Sequence, residues 1–369
     1  MSERLSALFN VSSLRVLGGF ALAAVVLFAG APALLSDFRL GLLAKFLCYA
    51  IIAVGIGLAW GRGGMLTLGQ GVFFGIGAYL MAMHMQLADA AAAHQDVPDF
   101  MQIAGINALP VFWKPLQSAP VTLLAILVLP GLVAALLGFG TFKRRVKGAY
   151  FAILSQALTA ALAILLIGQQ SLGGFTGLSD FNAFFGFRLS DPVNRRMLFF
   201  IAAGVLLAVI AIARQLRNSR YGELLVAVRD QEERVRFLGY DPANIKIVAY
   251  VVAACFAGIA GALFTPIVGI ISPADIDVVP SIVFLIGVAI GGRTTLWGPA
   301  IGAIGVAWAQ TTFSEHFPSQ WTYFQGALFI VVVGFIPAGL AGIGPLAKQL
   351  LERIHRSPAP APELEVATP

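Results

Sequence analysis

Apolar residues in this chain run in long, nearly charge-free stretches, each close to the length needed to cross a lipid bilayer. One helical crossing of about 30 Å of hydrocarbon takes about 20 mostly apolar residues. Ten stretches approach that pattern, near 14–35, 40–60, 65–87, 120–140, 149–168, 197–213, 246–267, 280–291, 296–312 and 323–343. Only 11% of the residues are charged and 59% are hydrophobic, far too little charge to clothe a water-facing surface. A soluble enzyme and a disordered chain are both excluded. The apolar runs are long rather than alternating, which excludes a barrel, and forty glycines suit close helix packing in lipid. The fold class expected is therefore all-α: a polytopic inner-membrane bundle of about ten segments. The eighth stretch is short and Gly291-Gly292-Arg293 interrupts it, so a half-helix is the alternative there to a full crossing.

Lysine and arginine set the direction, because cytoplasmic loops retain positive charge. With the N-terminus inside and all ten segments crossing, eighteen basic residues face the cytoplasm and five (Arg39, Lys114, Arg188, Arg195, Arg196) face outward, with Lys45 inside a span. Both termini are then cytoplasmic. This topology accounts for the net charge of +6 without nucleic acid, and lipid is the expected surrounding partner. Trp60, Trp113, Trp297, Trp308 and Trp321 fall near segment ends, where an interfacial belt is expected. Two outward loops, 88–119 and 168–196, are long enough to be functional or to form a solvated cap. Residues 1–345 read as the membrane domain, and 346–369 as a cytoplasmic tail whose Pro-, Ala- and Glu-rich end reads as disordered.

One inner loop is substantial. Between 214 and 246 seven basic residues meet five acids, and Leu224, Val228, Gln231, Val235 and Leu238 recur at helical spacing before a Gly239 stop. The expectation is a cytoplasmic amphipathic helix over 221–239. Acids interleaved with arginines suit a protein groove better than anionic lipid.

The run Tyr221-Gly222-Glu223 to Asp230, then Leu238-Gly239, resembles the permease subunits of ABC importers for branched-chain amino acids. So do Gly63-Gly64-Met65-Leu66-Thr67-Leu68-Gly69-Gln70-Gly71 and Gly291-Gly292-Arg293-Thr294-Thr295-Leu296-Trp297-Gly298-Pro299. The resemblance covers about 40–343. Within it, Leu35-Ser36-Asp37-Phe38-Arg39 and Asp96-Val97-Pro98-Asp99-Phe100-Met101 are most similar to the urea-importer branch. Thr176 stands where the family has Asn, and Thr294 where Gly is commoner. The resemblance implies a second permease subunit in a heterodimer, two cytoplasmic ATP-binding subunits and a periplasmic solute-binding protein. It also implies an ATPase-coupling role for Tyr221, Gly222, Glu223, Leu224, Val228, Arg229, Asp230, Glu232, Leu238 and Gly239. No G-x-x-x-x-G-K-[ST] run occurs, so ATP hydrolysis is expected in another chain.

A small neutral solute such as urea needs amide and hydroxyl partners along its path, because unpaired polar groups in a dry pore cost a few kcal/mol. Thr67, Gln70, Gln156, Thr176 and Gln310 are the candidates for that path, with Thr159 beside them. Interhelical hydrogen bonding is the alternative role for each. Lys45 can either serve the path or snorkel outward. The four histidines are scattered, Cys48 and Cys255 lack metal spacing, and neither a cofactor nor a metal is expected. The reading is an importer permease rather than an enzyme, with urea as solute. A branched-chain amino acid or short amide is the alternative solute, and a stand-alone channel or gradient-driven carrier the alternative class.

Overall fold

The structure is a computed structural model that describes residues 11–146 and 148–316, with 320, 323, 324, 326, 327 and 330. Most of the tenth expected segment and the whole tail 346–369 lie outside the described residues. Among the described residues, eight helices are long and apolar enough to cross a membrane.

Helix α1 (Val11–Val25) runs on through a π turn, Val26–Gly30, and a last turn, Ala31–Leu34. Helix α2 (Asp37–Ile56) likewise ends in a π turn, Gly57–Arg62. The third expected stretch, 65–87, starts late: residues 64–69 are not helical, and α3 spans Gln70–Ala92. Gly64 sits at φ +67°, a left-handed conformation that glycine adopts without the penalty a Cβ brings. The short α4 (Asp99–Ile103) precedes α5 (Ala119–Phe142) and α6 (Ala149–Ile167). Then come α7 (Pro192–Arg217), α8 (Arg220–Phe237) and α9 (Pro242–Val268). A closing hairpin consists of α10 (Val278–Gly291) and α11 (Gly298–His316).

Helix α9 is the hub, packed against α3, α5 and α2, while α2 also carries α7 and α11. Lipid tails are as apolar as leucine, so close van der Waals contact, not exclusion from water, must hold such helices together. Small residues permit it. A Cβ on Gly77 would lie 1.9 Å from the Gly258 carbonyl oxygen, and one on Gly261 would lie 1.9 Å from that of Phe74. The Thr265 hydroxyl donates to the Ala78 carbonyl at 3.0 Å across the same crossing. Rings lock the layers on either side: Tyr250 meets Phe73, Phe142 and Phe151, and Phe74 meets Phe264 and Phe284.

The eighth stretch is indeed a short helix. Fourteen residues of α10 cover about 21 Å. A 3-10 turn at Pro273–Asp275 adds to its start, and Ile276 fills the space beside Gly71 and Gly75. Helix α11 then turns back against it, with Gly291 on Gly298 and Gly287 on Ala303.

Both long outer loops fold into a cap. Strand β1 (Leu178–Ser179) pairs antiparallel with β4 (Ile270–Ile271), and β2 (Ala183–Phe184) with β3 (Phe187–Arg188). His84 Nδ1 lies 2.7 Å from the Leu116 carbonyl, tying α3 to the first loop. The interfacial-belt expectation fails at Trp113, which is fully buried in this cap beside Phe100, and Trp308 sits mid-helix in α11. Ends of opposite character result. Arg62, Lys143, Arg144, Arg217, Arg229, Lys246 and Arg293 gather at one end, cytoplasmic by the charge rule, and the cap lies at the other.

Candidate solute path and coupling helix

The stretch before α3 runs as irregular backbone because its glycines must pass close to neighbouring chain. A Cβ on Gly69 would lie 2.3 Å from the Ser155 carbonyl, and one on Gly71 would lie 2.4 Å from the Ser281 hydroxyl. Irregular backbone at membrane depth is tolerated only where protein buries it or where it lines a cavity. Here Met65, Thr67 and Gly69 are buried while Gly64 is exposed, and a polar junction forms around the buried part. Thr67 and Gln70 are each 1% exposed, and the Gln70 amide donates to the Thr67 hydroxyl at 3.2 Å. The Leu68 amide donates to the Ser155 hydroxyl at 3.2 Å, and the Thr159 hydroxyl to the Ser155 carbonyl at 3.1 Å. Gln70 Oε1 accepts from no protein group among the described residues. A buried acceptor of this kind carries a desolvation penalty of about 1–3 kcal/mol until something donates to it.

The structure thus brings Thr67, Gln70 and Thr159 together and adds Ser155 and Ser281. Ser155 precedes Thr159 by four residues, so one face of α6 was available as a signal. Ser281 is a single small polar residue after Pro280, and no pattern marked it. Three expected path residues lie elsewhere. Thr176 is exposed in the outer loop, its hydroxyl donating to the Gly173 carbonyl at 2.9 Å. Gln156 and Gln310 are half-buried and make no side-chain hydrogen bond among the described residues.

Under the cap lies a cavity of about 990 Å³, walled by α2, the end of α3, the second outer loop, the start of α7 and the end of α9. Asp37, Lys45, Asp89, Arg188 and Arg195 are its charged lining residues. Arg196 donates to Asp37 at 2.7 Å, and Asp89 accepts from the Asn182 amide at 2.8 Å.

At the basic end, α8 starts with Ser219 accepting from the Gly222 amide at 3.4 Å. Its backbone departs from helical geometry at Gln231 (φ −148°, ψ 73°), so two short helices meet there. The apolar row expected to fill a partner's groove is mostly turned inward. Val228 and Val235 are buried and Leu224 is half-buried, whereas Gln231 and Leu238 are exposed; the neighbouring Leu225 is buried too. The reason is tethering to the permease itself. The Arg229 guanidinium donates to the Gly61 carbonyl at 2.8 Å, the Tyr221 hydroxyl to Ile245 at 2.7 Å, and Lys246 pairs with Glu232 at 2.7 Å. Burial pushes the Tyr221 phenol up, which keeps it a donor. Gly222 is also buried, and a Cβ there would lie 2.4 Å from the Arg217 carbonyl. Substituting it therefore disturbs the α7–α8 corner, whereas Glu223, exposed in the first turn, probes the outer surface cleanly. Also exposed are Asp230, which pairs with Arg229 at 2.7 Å, and Phe237, Leu238 and Gly239, with Phe237 90% exposed.

The next corner is a cap. Asp241 accepts from the Ala243 amide at 3.0 Å and pairs with Lys143, which holds its carboxyl below the usual carboxylate range. A carboxyl whose folded pKa is depressed contributes stability above its unfolded value, about 3.9, and loses it as pH falls through the folded one. Asp241→Ala is therefore expected to cost about 1 kcal/mol at pH 7 and progressively less on acidification below about pH 4. Thermal unfolding in detergent at both pH values checks it; an equal loss at both would refute the cap.

A family of branched-chain amino acid transport system permease components matches residues 38–333. The chain belongs to this family. The high-affinity branched-chain amino acid transport permease protein LivM of Escherichia coli is 27% identical over 348 residues, covering 87% of this chain and 74% of the relative. LivH of Salmonella typhimurium is 22% identical over 305 residues, covering 80% and 91%. A probable LivM of Methanocaldococcus jannaschii is 25% identical over 254 residues, covering 63% and 72%. No solved structure matches the chain. This family member is thus the permease subunit of an ABC importer, an inner-membrane transport component and not itself an enzyme.

Proposed function

We propose that this permease carries branched-chain amino acids inward, driven by ATP that partner subunits hydrolyse. The observation that carries the coupling half of this reading is α8, a charged cytoplasmic helix fixed to the bundle by Arg229, Tyr221 and the Lys246–Glu232 pair. A push on such a helix reaches the irregular stretch 64–69 directly, because Arg229 holds Gly61 and its stem packs on Gly64. That stretch leads into Thr67 and Gln70. Motion at the nucleotide-hydrolysing subunits therefore has a short mechanical route to the polar junction.

The neutral junction suits an amide such as urea, whereas the family and its named relatives are described by branched-chain amino acid transport. The amino acid is the reading we adopt. A second permease subunit and lipid would share the exposed apolar faces of α5 and α6, including Leu124, Leu136, Ile153 and Ile164. Two ATP-binding subunits would take the basic end, and a periplasmic solute-binding protein the cap.

Reconstitution with these partners is expected to give leucine uptake that stops when ATP hydrolysis is blocked. Leucine-loaded binding protein should stimulate hydrolysis about tenfold more than a urea-loaded counterpart. Uptake that continues unchanged without hydrolysis would overturn the importer reading, and stimulation by urea alone would overturn the amino-acid one.

A further inference from the structure

The outer cavity is lined by a cation, Lys45, that no carboxylate pairs with among the described residues. Lys45 lines it eight residues into α2 from Asp37, about 12 Å along the helix axis. Asp89, by contrast, lies only three residues from the end of α3. Lys45 is therefore the charged lining residue set furthest into the bundle. Its ammonium is placed over two rings, 5.9 Å from the Tyr49 centroid and 5.8 Å from that of Phe264, and no carboxylate pairs with it among the described residues. The acids of the cavity are engaged: Asp37 by Arg196, Asp89 by the Asn182 amide. With Lys45, Arg188 and Arg195 against Asp37 and Asp89, the lining carries a surplus of one positive charge. An ammonium at this depth is costly until an anion joins it.

We propose that this cavity is a solute subsite in which Lys45 receives the carboxylate of an amino acid whose apolar side chain lies against Phe38, Leu42, Phe181 and Ile267. This deepens the functional reading above and rests on its amino-acid solute. Four apolar residues beside one deep cation match a ligand with an anionic head and an apolar tail. The two rings under the ammonium hold it in place without neutralising it. A neutral amide offers Lys45 a carbonyl acceptor but no negative charge, and a charge-assisted bond to a carboxylate is the stronger one, so the subsite favours the carboxylate before the solute reaches Gln70.

The test uses accessibility in the assembled transporter. Gly41 lines the same cavity, is exposed, and has open space where a Cβ would stand. In a background lacking Cys48 and Cys255, Gly41→Cys is labelled by a water-soluble maleimide from outside. Millimolar leucine is expected to slow labelling about threefold or more, and leucinamide, which lacks the carboxylate, to leave it nearly unchanged. Lys45→Met should abolish the protection and Lys45→Arg should restore it. Equal protection by leucine and leucinamide, protection that survives Lys45→Met, or no protection by leucine would each overturn the proposal. Protection in a transporter that shows no ATP-driven leucine uptake would keep the subsite and sink the importer reading instead, so the two failures are distinguishable.

Discussion

Gly77→Val is expected to abolish the folded permease. At the α3–α9 crossing a Cβ on Gly77 would sit 1.9 Å from the Gly258 carbonyl oxygen and 2.6 Å from its carbon, and both are backbone atoms that no rotamer can move aside. Real side chains hardly ever approach closer than 3.0 Å, so the two helices must part by more than 1 Å. Parting them breaks the Thr265–Ala78 hydrogen bond, and it opens the Phe73–Tyr250 and Phe74–Phe264 contacts on either side. Overpacking costs about 1–3 kcal/mol per site where neighbours can adjust. Here α9 is the hub and cannot shift alone, so the loss should exceed that range and approach the whole of a stability near 5–15 kcal/mol. Gly18→Val serves as control, since nothing lies within 4 Å of its would-be Cβ. Size-exclusion profile and thermal midpoint in detergent decide the matter; wild-type values for Gly77→Val would show the close crossing to be wrong.

The second large effect is expected at the far end of α8. Phe237 is 90% exposed and Leu238 75%, adjacent on a charged surface that otherwise turns its apolar groups inward. Two neighbouring exposed hydrophobes of this kind suit a partner's groove. Replacing both with glutamate should weaken association with the ATP-binding subunits by about 2 kcal/mol or more, roughly thirtyfold, while leaving insertion and thermal stability of the permease unchanged. Co-purification and coupled hydrolysis measure it. Undiminished association would remove the docking surface proposed here.

Several features were legible from residue pattern alone. The first nine segment positions agree with helices to within about five residues because a bilayer crossing needs an uninterrupted apolar run, which neighbours do not alter. The Gly291-Gly292-Arg293 interruption is found as a turn, whereas the run expected to enter a span at 65 stays irregular to residue 69. Thr67 and Gln70 meet at a buried junction, where the glycines on both sides of Gln70 bring the chain close to its neighbours. Gln156 and Gln310 lie half-buried away from that junction, because polarity inside a span does not say which neighbour it meets. The α8 row misled for a related reason. Helical spacing identifies an apolar face but cannot tell whether that face is used by the chain itself or by a partner, and Arg229, Tyr221 and Lys246 pull it inward.

The sequence by itself determined that this chain lives in a membrane as a helical bundle, which end is basic, and which family of transport components it joins. The first two follow from transfer of side chains between water and hydrocarbon, a property each segment carries alone, and the third from the motifs at 63–71, 221–239 and 291–299. Only the tertiary structure decided that α9 is the hub, that Ser155 and Ser281 complete the junction at Gln70, and that Lys45 lines an outer cavity with no carboxylate paired to it among the described residues. Such facts depend on which helices touch, and contact is settled by backbone distances at glycines far apart in the chain, such as Gly77 with Gly258 and Gly71 with Ser281.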